Sequence, residues 1–455
     1  MSIILGIGKE TIMKMNKKRG GLLALLVLAA AAVLFWQFAP RYWVRPVKDF
    51  LNWGKHQAIH YDLISGTEIR NIRQVMTKDP STSRTIMWQS DFAEEKPRVE
   101  IRVKGQQDVR TVQAGEEAFQ DGKAKTFIHT AHLEGLQPGT QYEYRLCYSK
   151  KATDWMPLTT FQGNRFKALI FPDSQSADYS VWKATAMPAW QRNPNAQFFV
   201  NMGDLVDNGQ DATQWNAWFD VVEPMAEKIP VAPVMGNHET YDLNWKVRRP
   251  EAYMKLFSLP GNGYAQYPNR FYSFTVGDVH FVVLDTMFSE MKDFEPDLEQ
   301  DEIQWFRKDL EQNRQKWNVV LMHKDPLQYA FNPATRPGRD RQEGIGPEGK
   351  VWMPLFDEYG IDLVLSAHLH TYRNRGHIRD FRHNPDGPLY ILTGVAGDVR
   401  YPSLWKQHPL DETVAPQPET DNYLVMTKTE DELQLQAFLP DGTLLDTARL
   451  EKPAQ

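Results

Sequence analysis

The chain has 455 residues, of which 42% are hydrophobic and 24% are charged; this composition excludes a disordered, collagen-like or coiled-coil protein. Its 52 Lys and Arg residues against 58 Asp and Glu residues give a net charge of -6, which offers no basic surface for a nucleic-acid scaffold role. A single cysteine, Cys147, excludes a disulfide framework and a multi-cysteine zinc site. Any metal ion must therefore be held by His, Asp, Glu, Asn or Gln.

A hydrophobic segment lies close to the amino terminus. Residues 22–39 read LLALLVLAAAAVLFWQFA, and about 18 apolar residues just suffice to cross a hydrocarbon core. Residues 1–21 contain the basic cluster Lys14, Lys17, Lys18 and Arg19, so the positive-inside rule predicts a cytoplasmic N-terminus and a transmembrane signal-anchor. We expect a single-pass protein of the cell membrane whose bulk is extracytoplasmic. The alternatives are a cleaved signal peptide, which would give a secreted protein, and a buried soluble helix.

Residues 60–161 consist of short alternating segments separated by turn residues. Strands are predicted at IRQVMT, TIMWQS, RVEIRVKG, KTFIHTAHLEGL, TQYEYRLCYS and PLTTFQ. Regular strand and turn spacing predicts an all-β sandwich. The segment 133–145, LEGLQPGTQYEYR, resembles the fibronectin type III sandwich, in which a Leu precedes a Pro-Gly turn and a Tyr-x-Tyr strand follows.

Residues 165–455 have a different pattern, with continuous apolar runs separated by segments of helical periodicity. The runs are KALIFPD, AQFFVNMGD, IPVAPVMGNHE, VHFVVLDT, NVVLMH, IDLVLSAH and LYILTG. Runs of this kind are typical of strands covered on both faces, so we predict one α/β domain. Its last segment predicts three strands with a turn at Asp441-Gly442 that complete the edge of a sheet.

Five of the apolar runs end in polar residues, at the strand ends where ligands collect in open α/β sheets. These ends are Asp173-Ser174-Gln175, Gly203-Asp204-Leu205-Val206-Asp207, Gly236-Asn237-His238-Glu239, His323, and His368-Leu369-His370. Each motif alone is compatible with a turn, a helix cap or a hydrogen-bonded core histidine. Their joint occurrence at successive strand ends predicts a metal site.

The order of these motifs resembles the calcineurin-like metallophosphoesterase superfamily, and the β-sandwich in front of them resembles purple acid phosphatases. The resemblance implies a β-sandwich core flanked by helices in four layers, α/β/β/α, and a dinuclear metal site. Two divalent cations about 3.5 to 4 Å apart need a shared ligand, which a carboxylate can provide. By position in the family pattern, Asp204 would bridge the ions. The remaining ligands would be Asp173, Gln175 and His370 for one ion, and Asn237, His323 and His368 for the other.

The same resemblance implies hydrolysis by a metal-bridging hydroxide. His238 directly follows the predicted ligand Asn237 but is not itself a predicted ligand. It is the candidate general acid. We expect Glu239 to orient and charge-stabilise that imidazole, with an ordinary solvated carboxylate as the alternative, and Asp207 to hold a ligand or loop. Lys324, Arg270, Tyr372 and Arg373 neighbour the motifs and are candidate phosphate contacts, with a solvated surface role as the alternative for each.

Two positions depart from the family pattern. Asp207 stands where purple acid phosphatases have a tyrosine, and Gln175 stands where most other members have a histidine. An amide oxygen is a harder ligand than imidazole, which favours Mn²⁺, Fe²⁺ or Mg²⁺ over Zn²⁺ without excluding Zn²⁺. The function predicted is acid phosphatase-like hydrolysis of small phosphomonoesters outside the cell membrane. The alternatives are a phosphodiesterase or nucleotidase, and a non-catalytic surface binding module.

Overall fold

The computed structural model describes residues 41–61, 63–64, 68–148 and 151–452. Contacts divide the chain into a unit that ends at Gly54 and a unit Lys55–Gln455. The first helix, α1, is Arg41–His60. Within the described ranges, no helix is long and apolar enough to cross a bilayer. The predicted membrane segment 22–39 lies outside those ranges.

The amino-terminal part of the larger unit is a two-sheet β-sandwich. Its strands are β1 Arg70–Val75, β2 Arg84–Ser90, β3 Arg98–Val103, β4 Arg110–Gln113, β5 Gly115–Asp121, β6 Ala124–Leu133, β7 Gln141–Tyr148, β8 Lys151–Ala152 and β9 Met156–Thr159. One sheet has the order β1-β2-β6-β5; in the other, β4-β3-β7-β8, strand β9 also pairs with β7. Buried Trp88, Val99, Tyr144 and Leu158 fill the space between them. All six predicted strands are present, and β4, β5 and β8 were not predicted.

Three strands and three helices follow in alternation. They are β10 Phe166–Phe171, α2 Tyr179–Arg192, β11 Phe198–Asn201, α3 Ala212–Ala226, β12 Val231–Pro233 and α4 Glu251–Leu256. A short 3-10 helix, His238–Thr240, lies between β12 and α4. Asp178 and Asp211 cap α2 and α3 by accepting backbone N–H bonds from Ser180 and Thr213, as the local sequence favours.

A second sheet and its helices follow, and three antiparallel strands end the chain. The elements are β13 Tyr272–Val276, β14 Val279–Val283, α5 Phe288–Met291, α6 Leu298–Asn313, β15 Trp317–Leu321, β16 Leu327–Gln328, β17 Gly344–Ile345, α7 Pro347–Tyr359, β18 Leu363–Ser366, β19 Tyr372–Arg379, β20 Arg382–His383, β21 Leu389–Thr393, β22 Thr413–Val414, β23 Tyr423–Lys428, β24 Glu432–Phe438 and β25 Leu444–Glu451. The turn between β24 and β25 contains Gly442 at φ +95°, and β25 forms the predicted sheet edge.

The core is α/β, with two sheets packed face to face between helices. The ring of Phe198 on β11 lies 5.8 Å from that of Phe281 on β14, which joins the two sheets. Trp182 of α2 packs on Phe171 of the first sheet, with ring centroids 5.0 Å apart. On the second sheet, Asp309 of α6 accepts hydrogen bonds from Ser273 and His280. These contacts give the layer order α/β/β/α.

The first sheet continues from the α/β core into the sandwich, which the sequence did not indicate. Its order is β25-β24-β23-β10-β11-β12-β1-β2-β6-β5. The junction is a parallel pairing of β1 with β12 through Val75 and Val231, supported by a 2.9 Å bond from the N–H of Met76 to the carbonyl of Val231.

Candidate active site

All seven predicted metal ligands lie together, because the strands that carry them end at one side of the two packed sheets. Asp173 and Gln175 follow β10, Asp204 follows β11, Asn237 follows β12, His323 follows β15, and His368 and His370 follow β18. All are buried except His368, which is half-buried. Ligands from both sheets thus converge on one site.

Two groups of ligand atoms overlap at Asp204. Asp204, His323 and His368 form one group, and Asp173, Asp204 and His370 form the other, with the ligand atoms of each group within 4.8 Å of one another. Each predicted amide ligand joins one group. Asn237 Oδ1 lies 3.2 Å from His323 Nε2, and Gln175 Nε2 lies 3.3 Å from His370 Nε2. Asp204 therefore has the position that a shared carboxylate requires.

The donors fit a pair of divalent cations. His323 Nδ1 donates to the carbonyl of Met202 at 2.9 Å and His370 Nδ1 to that of Val399 at 2.6 Å, so Nε2 is the ring nitrogen left for a ligand bond in each. Burial alone would lower the pKa of His323, but Asp204 and Asp173 raise it to about 9, so a cation bound there would displace the proton of Nε2. Gln175 Oε1 is buried and has no hydrogen-bond partner among the residues that the structure describes. A buried acceptor without a partner is costly, and a bound cation would satisfy it. Carboxylate, amide and imidazole donors together suit Mn²⁺, Fe²⁺ or Zn²⁺.

Two glycines allow the loops of this site to approach closely. A Cβ atom on Gly236 would lie 2.2 Å from Asp204 Oδ1, and one on Gly203 would lie 2.4 Å from His323 Nδ1. Asp204, His368 and His370 have φ values of +47°, +74° and +53°, which non-glycine residues rarely adopt. Strained backbone of this kind concentrates at functional sites, where the surrounding structure holds it.

The crowding of charges shifts several pKa values. Burial raises the pKa of Asp173 to about 7, and nearby Asp204 adds to the rise. Burial also lowers the pKa of His370 to about 4 and holds the pKa of His368 well below its usual value. A neutral imidazole is the form that binds a cation. The two histidines of the His-x-His motif are therefore in the state that a metal site needs.

Glu239 contacts the backbone of the ligand loops, where the sequence had led us to expect it on the imidazole. Its carboxylate accepts hydrogen bonds from the N–H groups of Asp204 at 3.0 Å, Leu205 at 2.8 Å, Val206 at 3.3 Å and Gly236 at 2.7 Å. Burial, with a contribution from Asp204, raises the pKa of Glu239 to about 7. This side chain holds the loop after β11 against the loop after β12.

The residue that holds the His238 imidazole is Asp207. His238 Nδ1 lies 2.7 Å from the carbonyl oxygen of Asp207 and 3.4 Å from its carboxylate, so Nδ1 donates and Nε2 is left for a substrate. The backbone N–H of His238 also donates to Asp204 Oδ1 at 2.9 Å. Burial alone would lower the pKa of His238, but Asp204 and the Asp207 carbonyl raise it above its usual value. An imidazole so placed can hold a proton beside the metal ligands.

The four candidate phosphate contacts all bond to carboxylates elsewhere. Their partners are Glu290 at 2.6 Å for Lys324, Glu295 at 2.6 Å for Arg270, Asp446 at 2.8 Å for Tyr372 and Asp411 at 2.8 Å for Arg373. Arg270 and Arg373 are almost fully buried. Each of the four side chains is therefore already paired with a carboxylate.

The structure adds three aromatic residues that sequence reasoning missed. Tyr401 lies beside His370, with ring centroids 5.0 Å apart. Tyr241 and Trp245 lie beside His238, with ring centroids 5.3 Å and 6.0 Å away. Tyr241 and Trp245 follow the GNHE motif closely in the chain, so their proximity to the motif was a usable signal. Tyr401 is distant from every motif and offered none.

Two parts of the chain match described protein families. Residues 167–372 match the family described as calcineurin-like phosphoesterase, and residues 69–162 match the purple acid phosphatase N-terminal domain. Acid phosphatase type 7 of Mus musculus is 26% identical over 381 residues, which cover 74% of this chain and 80% of that protein. Acid phosphatase type 7 of Homo sapiens is 29% identical over 311 residues, which cover 61% of this chain and 67% of that protein.

Solved structures support the fold. A purple acid phosphatase from seeds of yellow lupin (Lupinus luteus) matches with a TM-score of 0.67 at 17% identity, over 84% of this chain and 74% of that one. PhoD matches with a TM-score of 0.60 at 12% identity, over 86% of this chain and 91% of that one. The chain thus has one region similar to calcineurin-like phosphoesterases and another similar to the purple acid phosphatase N-terminal domain, and it is a phosphoric ester hydrolase. The more specific likeness to fibronectin type III is not confirmed.

Proposed function

We propose that this calcineurin-like metallophosphoesterase hydrolyses small phosphate monoesters at two divalent metal ions. The observation that carries the proposal is the position of Asp204, which belongs to both groups of ligand atoms. Gln175, whose amide nitrogen lies beside His370, adds a buried oxygen without a hydrogen-bond partner among the described residues as a further candidate ligand. A binding module that had lost catalysis would be expected to lack some of these ligands, whereas all seven are present.

Each residue of the site has a distinct role in the proposed hydrolysis. When bound, the two ions would supply the nucleophile by lowering the pKa of water and would neutralise charge on the phosphate. Asp204 keeps the two ligand groups together, and Glu239 holds the Asp204 loop. Hydrolysis joins a water oxygen to phosphorus and breaks the ester P–O bond. The departing oxygen takes a proton from His238 Nε2, since Asp207 occupies Nδ1, and solvent then reprotonates the imidazole.

The metal preference follows from two side chains. Asp207 stands where a purple acid phosphatase has its tyrosine, and its carboxylate lies 3.4 Å from His238 Nδ1. Without a phenolate at that position the site lacks the usual partner of ferric iron. The amide of Gln175 adds a hard oxygen donor. We expect Mn²⁺ or Fe²⁺ to restore chelator-treated protein at least as well as Zn²⁺, and the protein to be colourless.

One experiment tests the reaction and the metals together. The purified protein is assayed for bound metal by elemental analysis, treated with a chelator, and reactivated with Mn²⁺, Fe²⁺, Mg²⁺ or Zn²⁺ on p-nitrophenyl phosphate and on its bis ester. The proposal expects two metal ions for each chain and faster turnover of the monoester. Faster turnover of the bis ester would identify a phosphodiesterase, and inactivity with every metal and ester would refute the proposal.

We also propose that the enzyme is displayed on the outer side of the cell membrane. The support is the sequence of residues 22–39 and the basic cluster before it. The protein should sediment with membranes, and protease added to intact cells should reach the metallophosphoesterase domain. Release of a shortened form into the medium would instead indicate signal cleavage.

A further inference from the structure

An exposed aromatic group adjoins the proposed acid. We call residues 241–247 the aromatic loop. Tyr241 and Trp245 approach the His238 ring edge-on and lie 5.9 Å from each other. The Trp245 side chain is 56% exposed and that of Leu243 is 59% exposed. Large apolar side chains grouped on the surface commonly mark a binding site.

The aromatic loop is held in place by polar contacts. Asp242 Oδ1 accepts the N–H groups of Asn244 and Lys246, both at 2.8 Å. Asn208 Nδ2 donates to the carbonyl of Asp242 at 2.5 Å. Since Asn208 directly follows Asp207, the loop is tied to the segment that orients His238. The backbone that carries the two aromatic side chains is therefore held close to the proton donor.

The backbone of Trp245 is strained. Its φ is +62°, in a region that a bulky side chain seldom occupies. The conformation closes a hairpin turn: the N–H of Trp245 donates to the carbonyl of Asp242 and the N–H of Asp242 donates to the carbonyl of Lys246, both at 2.9 Å, between the paired residues Tyr241 and Val247. This turn places the Trp245 ring 6.0 Å from the ring of His238.

The reaction places one part of the substrate next to this loop. The leaving oxygen must come within hydrogen-bond distance of His238 Nε2, so the alcohol portion of the ester extends past the imidazole. Among the residues that the structure describes, the aromatic rings beside that imidazole are those of Tyr241 and Trp245. Aromatic faces stack on flat rings and give weaker contacts to small flexible alcohols.

We propose that the aromatic loop binds the alcohol portion of the substrate and selects phosphate monoesters that carry a flat aromatic ring, such as nucleotides and aryl phosphates. This inference rests on the proposed function, in which His238 protonates the leaving oxygen. It assigns Trp245 a role in substrate specificity, with no part in metal binding.

The test measures KM and kcat of the metal-loaded full chain on adenosine 5′-monophosphate, phenyl phosphate, glucose 6-phosphate and glycerol 3-phosphate. Trp245→Ala should raise KM about tenfold for one or both ring-bearing esters. It should leave kcat and the KM for the sugar and glycerol esters nearly unchanged. Trp245→Phe should restore most of the affinity. Inhibition by adenosine, which has no phosphate, should weaken in parallel with the KM for its monophosphate if the nucleotide is the substrate affected.

A matched control is Phe381→Ala. Phe381 is also an exposed aromatic residue at positive φ, 44% exposed at φ +61°, but it lies in the turn between β19 and β20. This variant should change none of the four esters. If Trp245→Ala changes all four esters equally, or none of them, the specificity role is wrong while the proposed function stands. If the metal-loaded wild type hydrolyses none of the esters, the proposed function fails and this inference fails with it.

Discussion

Replacing Glu239 with glutamine should destabilise the protein and remove metal. In the native site one carboxylate oxygen accepts the N–H groups of Leu205 and Val206, and the other accepts those of Asp204 and Gly236. Glutamine offers a single side-chain oxygen, so two buried N–H groups would lose their acceptor. At about 1 to 3 kcal/mol for each unsatisfied group, the lost hydrogen bonds alone should lower the free energy of unfolding by about 2 to 6 kcal/mol; removal of a carboxylate charge that burial disfavours offsets part of this loss.

The assay is urea unfolding at pH 8, above the pKa of about 7 for Glu239, together with elemental analysis of bound metal. Glu223→Gln is the matched control. Burial also raises the pKa of the Glu223 carboxylate to about 7, and this carboxylate accepts a hydrogen bond from a backbone N–H, that of Ile72 at 3.1 Å. Unlike Glu239, it contacts strand β1 of the sandwich and not the metal-ligand loops. This control should retain its metal. If Glu239→Gln leaves stability within about 0.5 kcal/mol and metal intact while shifting the pH profile of activity, Glu239 acts on the imidazole and our reasoning is wrong.

Three further predictions concern ligands, proton transfer and pH. Asp204→Asn and His368→Ala should each lose metal and most activity; full metal content with near wild-type turnover would contradict the ligand assignment. His238→Ala should retain metal and lose more turnover on an alkyl phosphate than on p-nitrophenyl phosphate, since a phenolate needs less protonation; equal losses would count against an acid role. Burial lowers the pKa of His129 from 6.5 to about 4, so the unfolded chain binds more protons between these values and stability should fall as pH drops from 6.5 to 4. The loss should reach about 3 kcal/mol in unfolding measured across that range, and a His129→Gln variant that shows the same loss would refute the assignment.

The identity of the seven ligands followed from the family resemblance, whereas the convergence of the polar strand ends was predictable from two local signals. Continuous apolar runs identify the strands, and parallel strands place their carboxyl ends at one side. Asp173, Asp204 and His323 therefore converge without any knowledge of loop conformation. The sandwich strands were predictable for a similar reason, since alternation and turn residues lie within each segment. Strands β4 and β5 were not predicted, because their side chains are mostly exposed and do not alternate between apolar and polar.

The roles of Glu239 and Asp207 were not predictable from adjacency. Glu239 follows His238 in the chain, but the backbone N–H groups of the Asp204 loop direct its carboxylate away from the imidazole. Asp207 is 31 residues from His238 in sequence and reaches it through a main-chain carbonyl, which any residue type supplies. The strain at Trp245 likewise depends on the conformation of a seven-residue loop, and no residue pattern indicates it.

The pairing of β1 with β12 bears on how this protein can be dissected. A fragment that starts after the sandwich would leave β12 as an open edge, with the carbonyl of Val231 deprived of the Met76 N–H. Exposed sheet edges recruit strands from other chains and promote aggregation. The sandwich therefore covers an edge strand of the α/β core. A fragment that begins ahead of β1 should be more soluble than one that begins between the sandwich and β10.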